Sequence, residues 1–352
     1  MRIASLDSIK GNELLAKDVY SSNDALLMPA GSIVKKEYIR RLRDLNVEYL
    51  YIEDEIAQGI NLTNNLEFQI QEQCQEAVRD ILQKYFFQNE NELEQIKDIA
   101  DEIIRNIMED PKVIFNLSTI RLRSSSTYSH SLNVCALAVL LSFKLKLPKT
   151  KIRDIAVGCL LHDIGITYIK SELLDASLED NTENVSKELK KHIIYGYSAV
   201  EKMEWLSATS KDIIISHHER LDGSGYPFHV KEGRIKIGSR IAAVCDEFDS
   251  RVYGNFMTKM KVHDAIDYIV SQAGVKFDLR VVKAFVDSVA AYPTGSLVRT
   301  NEDETAIVLR QNPQCPTRPL IRIVEDSKGN KLSHWVEKNL VEELTLFITD
   351  TI

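Results

Sequence analysis

A chain of 352 residues is long enough for two or three domains, and its 44% apolar and 27% charged residues are the balance of an ordinary folded protein. A formal net charge of −8 excludes the strongly basic face that polymeric nucleic acid requires, but leaves room for a small anionic substrate whose charge a metal ion meets locally. No apolar run approaches the ~20 residues that cross a bilayer, the start from Met1 to Asp7 lacks the apolar core of a secretory signal, and the five cysteines are odd in number and never spaced C-x-x-C. A cytoplasmic protein with reduced thiols is therefore expected, with neither membrane nor nucleic-acid polymer among its partners.

In chain order, residues 1–56 mix short β-like runs (Leu14 to Tyr20, Ala25 to Met28, Val47 to Ile52) with turns at Ser21–Asp24 and Pro29–Gly31, and predict one helix over Lys35 to Leu45. Residues 57–114 read as a helical linker or stalk. Their helices around 66–108, including Leu66 to Phe87 and Glu92 to Met108, have enough apolar phase for a homodimer or for packing within the chain. Residues 115–292 continue in helical period, with helices predicted over Tyr128 to Leu145 and Lys151 to Leu161. After Tyr292-Pro293-Thr294-Gly295 the character turns to β, at Ser296 to Arg299, Ala306 to Arg310 and Leu320 to Val324. The fold class expected is mainly α: a helical core, a small α/β domain before it, and a small β-rich appendage over 293–352.

Seven residues of the helical core have the chemistry of metal ligands: His130, His162, Asp163, His192, His217, His218 and Asp246. His130 shares a stripe with Val134, Leu137 and Leu141. His192 shares one with Leu189, Gly196, Ala199 and Met203. The pair His217-His218 follows Ile213-Ile214 by four, and Asp246 follows Ala242 and Ala243. Each therefore points inward, where a carboxylate is costly unless paired or bound to a cation. One inward histidine is more often a hydrogen-bonded core residue. Seven such residues, two pairs of them adjacent in sequence, are better explained by a shared metal site. Imidazole with carboxylate and no thiolate set suits iron, manganese or zinc.

His162-Asp163, with a histidine on an earlier helix and a later aspartate, resembles the HD superfamily of metal-dependent phosphohydrolases. The further His192 and the run His217-His218-Glu219-Arg220-Leu221-Asp222-Gly223-Ser224-Gly225-Tyr226-Pro227 resemble its HD-GYP subgroup. The resemblance implies a helical HD-type bundle and a catalytic centre of two divalent transition-metal ions, iron or manganese first. One ion would be held by His130, His162, Asp163 and Asp246, the other by His192, His217 and His218, with Asp163 bridging. It also implies a phosphodiesterase that hydrolyses a cyclic dinucleotide, cyclic di-GMP or a relative such as cyclic GMP-AMP, to the linear dinucleotide. The loop Asp222, Gly223, Gly225, Tyr226, Pro227 would flank the site and offer a surface to a signalling partner; by its residues alone it reads equally as a turn between helices.

The chain departs from the family pattern at three places. Ile166 stands where the subgroup has a lysine near the substrate phosphate. The segment supplying further phosphate-binding cations falls on Asn255-Phe256-Met257-Thr258, and Ser126 stands at a third-metal glutamate. Arg240, Arg251 and Lys259 are the cations expected to compensate. If they do not, the chain is a catalytically weak or inactive receptor that binds metal and nucleotide.

Overall fold

The computed structural model describes residues 1–20, 26–45, 47, 49–60, 90–109, 127–170, 187–254, 258–312 and 314–352. The helix expected over Leu66 to Phe87, and Cys74, Ser126 and Asn255 to Met257, lie outside them. Described residues within 90–109 and 127–286 make up one compact unit, and those within 1–60 and 287–352 the other. The protein is mainly α, with nine α-helices among the described residues.

Among the described residues the first α-helix of the helical unit is α2 (Ile96–Glu109), following α1 (Lys36–Asp44) of the other unit. Ile96, Ile99, Ala100, Ile103 and Ile107 are buried on α2 at helical spacing, so it lays one apolar stripe on its neighbours. Three later helices are buried over most of their length: α3 (Thr127–Lys144), α4 (Lys149–Leu161) and α7 (Ile237–Tyr253). A helix buried on every side belongs at the centre, and α3 packs against both α4 and α7. Around them stand α5 (His192–Val200), α6 (Ala208–Ser216), α8 (Val262–Ser271) and α9 (Leu279–Val286), with Phe248 of α7 meeting Phe285 of α9 edge to face at 4.8 Å. The boundaries have local causes. Pro148 precedes the first turn of α4, the Ser207 hydroxyl accepts the Ser210 N–H to cap α6, and Gly254 closes α7 in the left-handed conformation.

The other unit joins both ends of the chain. Near the N-terminus β5 (Tyr49–Glu53) pairs antiparallel with β1 (Arg2–Ser5) and β2 (Leu14–Leu15), while β3 (Val19–Tyr20) pairs with β4 (Leu26–Met28). The run read as one strand from Leu14 to Tyr20 is thus two strands in different sheets, each too short for its alternation to reveal the break. The C-terminal strands β6 (Leu297–Thr300), β7 (Thr305–Arg310), β8 (Leu320–Glu325), β9 (Lys331–Asn339) and β10 (Ile348–Thr351) form one antiparallel sheet in the order β10-β6-β7-β8-β9. Tyr51, Ala57 and Ile60 share a buried cluster with Ile307 and Val324. The Arg322 guanidinium donates to the carbonyls of Ile56 at 3.0 Å and Gln58 at 2.7 Å.

A close backbone approach in the helical unit sits beside the candidate ligands. α4 ends at Leu161, a 3-10 turn over Ile164–Tyr168 follows, and that turn packs on the start of α5. A Cβ placed on Gly165 would lie 1.8 Å from the His192 carbonyl oxygen, and 2.5 Å from the Gly196 nitrogen, so only glycine fits. Gly165→Ala is expected to force the turn and α5 apart, at a cost of about 1–3 kcal/mol or more. Thermal unfolding should begin several degrees lower, and an unchanged Tm would rule this approach out.

Candidate metal centre

All seven sequence-predicted ligands come together in the helical unit. His130 stands in the first turns of α3, His162 and Asp163 at the C-terminal end of α4, and His192 at the first residue of α5. His217 and His218 follow the last turn of α6, and Asp246 lies in α7. Helix ends supply five of the seven, where side chains project past the last turn into a shared space. His130, His162 and Asp163 offer ligand atoms within 4.8 Å of one another, and so do His192, His217 and His218.

Asp163 joins the two groups. Its Oδ2 lies 3.6 Å from His130 Nε2 and 3.4 Å from His162 Nε2, and its Oδ1 lies 3.4 Å from His192 Nε2 and 3.8 Å from His217 Nε2. Asp246 reaches His130 Nε2 at 3.2 Å with Oδ1 and His218 Nδ1 at 3.5 Å with Oδ2.

Hydrogen bonds fix which ring nitrogen faces the centre. His162 Nδ1 lies 2.7 Å from the Cys159 carbonyl, His192 Nδ1 2.6 Å from that of Leu189, and His217 Nδ1 3.0 Å from that of Ile213. A carbonyl can only accept, so these three rings carry their proton on Nδ1 and present an Nε2 lone pair inward. His130 donates Nδ1–H to Asp249 Oδ2 at 2.6 Å, and Asn133 Nδ2 holds the other oxygen of Asp249 at 2.8 Å. The inward nitrogens then face one another, His130 Nε2 to His162 Nε2 at 3.1 Å and His192 Nε2 to His217 Nε2 at 3.4 Å. Two facing lone pairs repel, and a positive charge set among them removes the repulsion. The donor set therefore fits a divalent cation at each group.

The electrostatics agree. Burial alone would raise the carboxyls of Asp163 and Asp246. The surrounding imidazoles outweigh it, His162 foremost for Asp163 and His130 for Asp246, and hold both below the usual carboxylate range. Burial, reinforced by His162, pushes His217 down to about 3, and burial with the neighbouring His217 pushes His218 down as well. Burial pulls His130 the same way, but its bonds to Asp246 and Asp249 prevail and lift it to about 10. Without an ion, His130 carries the positive charge that a cation would otherwise supply.

The loop after His218 is built to hold its shape. Buried Glu219 accepts the N–H groups of Phe228 at 2.7 Å and Val230 at 3.1 Å, and Asp222 accepts the Ser224 N–H at 2.9 Å. Gly223 has φ +84°, and a Cβ on Gly225 would lie 2.4 Å from both the Arg220 nitrogen and the His218 oxygen. Tyr226, followed by a cis bond to Pro227, stacks on His218 with ring centroids 4.7 Å apart at 17°.

The three expected substrate cations have partners of their own. Arg240 bonds Asp278 at 2.8 Å and the carbonyls of Ile235 and Glu232, and Arg251 bonds Glu247 at 2.7 Å while lying 3.4 Å over the Tyr268 ring. Lys259 is pulled down to about 8 by burial, and Ile166 is buried in the 3-10 turn. Asp249, Asn133 and Glu219 were not singled out from the sequence. Asp249 was within reach of that reading, since it lies three residues after Asp246 on the same helix face.

A family profile described as HD domain matches residues 104–281, half of the chain. The chain belongs to the HD domain family. A second profile, a KOW domain associated with HD domain, matches residues 297–352. A cyclic di-GMP phosphodiesterase of Pseudomonas aeruginosa is 31% identical over 229 residues, 64% of this chain and 54% of the relative. A 3'3'-cGAMP-specific phosphodiesterase of Vibrio cholerae is 23% identical over 70% of this chain and 47% of its own length. The chain thus spans about half the length of the curated relatives it matches. The solved HDG"Y"P protein Bd1817 of Bdellovibrio bacteriovorus shares the fold at a TM-score of 0.54 and 20% identity, over 80% of this chain and 97% of its own. The HD domain match bears out the resemblance to the HD superfamily carried by His162-Asp163. Among the described residues no helix is long and apolar enough to cross a membrane.

Two outcomes follow for metal binding. A cation entering beside His130 displaces its second proton, so affinity should rise about tenfold per pH unit between pH 6 and 8, below the His130 value of about 10. Titration calorimetry with Mn(II) in buffers of different ionisation enthalpy should register about one proton released; none released would contradict this charge assignment. Asp249→Ala leaves His130 Nδ1 without its acceptor and should weaken Mn(II) binding about 10- to 100-fold with helical content intact. Equal affinity in the variant would mean that Asp249 does not orient the ring.

Proposed function

We propose that this chain is a metal-dependent phosphodiesterase that hydrolyses a cyclic dinucleotide to the linear dinucleotide. Two divalent ions, iron or manganese, would be held by His130, His162, Asp163 and Asp246 on one side and by His192, His217 and His218 on the other. The observation that carries this is the division of Asp163, one oxygen toward each histidine group. A carboxylate has two oxygens for two ions, whereas an inward imidazole has one lone pair. The names of the matched relatives, phosphodiesterases of cyclic di-GMP and of 3'3'-cGAMP, support the substrate class.

When bound, such ions supply an acidified water and neutralise the phosphate oxygens as charge develops. The protein's part is positional. Backbone carbonyls and Asp249 keep the imidazoles turned inward, Asp163 spans the two groups, and Tyr226 walls the centre at His218. In the overall reaction water oxygen bonds to phosphorus, one phosphoester P–O bond breaks, and the departing ribose oxygen takes a proton. A cytoplasmic setting is part of the proposal, supported by Cys159, Cys245 and Cys315, which form no disulfide among the described residues.

One observation favours a second reading, a receptor that binds nucleotide with little turnover. Arg240 and Arg251 are committed to Asp278 and Glu247, so neither stands ready for a phosphate.

Incubating Mn(II)- or Fe(II)-loaded protein with cyclic di-GMP, 3'3'-cGAMP and cyclic di-AMP, then resolving the products by chromatography, separates the two. Linear dinucleotide from at least one of them is expected, and Asp163→Asn should abolish it together with most metal binding at unchanged helical content. Binding without product from any of the three would support the receptor. Full turnover by Asp163→Asn would remove Asp163 from the bridge.

A further inference from the structure

A cyclic dinucleotide carries two phosphodiester charges, and only one faces reaction at a time; the other needs a cation from the protein. The places where the HD-GYP resemblance would put such cations hold buried Ile166 and the segment from Asn255 to Thr258, while Arg240 and Arg251 are spent on carboxylates.

Lys190 is placed differently. It is exposed two residues before His192, at the approach to α5, and its Nζ lies over the Tyr226 ring, 5.3 Å from the centroid. Tyr226 in turn stacks on His218, one of the candidate ligands. No carboxylate pairs with Lys190 among the described residues, whereas adjacent Lys191 is tied to Glu188 at 2.6 Å. An aromatic face steadies an ammonium without neutralising it and leaves its N–H donors available. That is the arrangement of a cation kept for an anion that arrives later.

We propose that Lys190 is a substrate-binding residue of this site, donating to a phosphate of the cyclic dinucleotide from its seat on Tyr226. This rests on the reading that the centre takes such a substrate. Lys190 stands outside the ligand set, so the metals hold without it. Its loss weakens the ground-state grip on the anion and leaves the chemistry in place, which separates KM from kcat.

The test uses the full chain loaded with Mn(II) and compares wild type with Lys190→Gln, Lys190→Arg and Lys191→Gln, cyclic di-GMP being the probe. Lys190→Gln should raise KM about 10- to 100-fold, the worth of one charge-assisted hydrogen bond, with kcat within about twofold and metal content unchanged. Lys190→Arg keeps the cation over the ring and should recover most of the affinity; Lys191→Gln should stay near wild type. A KM for Lys190→Gln within twofold of wild type, or an equal rise in Lys191→Gln, overturns the proposal. If wild type turns over no cyclic dinucleotide, hydrolysis is wrong, and equilibrium dialysis of cyclic di-GMP against the same variants decides Lys190 by Kd with the same thresholds.

Discussion

Imidazole nitrogens bearing lone pairs cannot face one another at about 3 Å in a dry core unless positive charge lies among them. That constraint governs the helical unit. His130 and His162 meet at 3.1 Å and His192 and His217 at 3.4 Å, with Asp163 between the pairs. Three of these rings spend Nδ1 on a backbone carbonyl, so the main chain itself turns their lone pairs inward. Burying so many polar groups is costly when they are unpartnered. A cation at each group would let a single arrangement satisfy all of them.

Helix ends make this arrangement possible. A side chain in mid-helix is held to one face, but residues at the last turn can project along the axis, and the ends of α4 and α6 each contribute two adjacent candidate ligands this way. The ends must then lie close, which accounts for Gly165 against the His192 carbonyl and Gly225 against the His218 backbone. Buried Glu219 gathers the loop after His218 through two backbone N–H groups, so Tyr226 is carried back onto His218. The glycines and Glu219 are as much a part of the arrangement as the candidate ligands, because they determine where those side chains stop.

The charge of the site follows from its neighbours. His130 is the one imidazole of the set bonded to two carboxylates, and burial that depresses His217 and His218 fails to depress it. A metal ion entering beside His130 would displace that ring's second proton. The surrounding arginines do the opposite work: Arg220 and Arg251 both bind Glu247, and Arg240 binds Asp278, so their charge is consumed in bracing α7.

Much of this was legible in the sequence because it depends on local period and residue type. Inward helical phase identified the seven candidates, and the run from His217 to Pro227 carried the family resemblance. Asp249 and Glu219 escaped notice because a lone acidic residue gives no sign of its partner until the fold supplies one, His130 in the first case and the backbone of Phe228 and Val230 in the second. The strands β1, β9 and β10 are short or exposed, so alternation could not betray them. Only the tertiary structure decided that the two β-rich ends share one buried cluster, that Asp163 divides its oxygens between two histidine groups, and that Lys190 rests on Tyr226. Those contacts join residues far apart in the chain, and sequence period carries no information about distances that only folding creates.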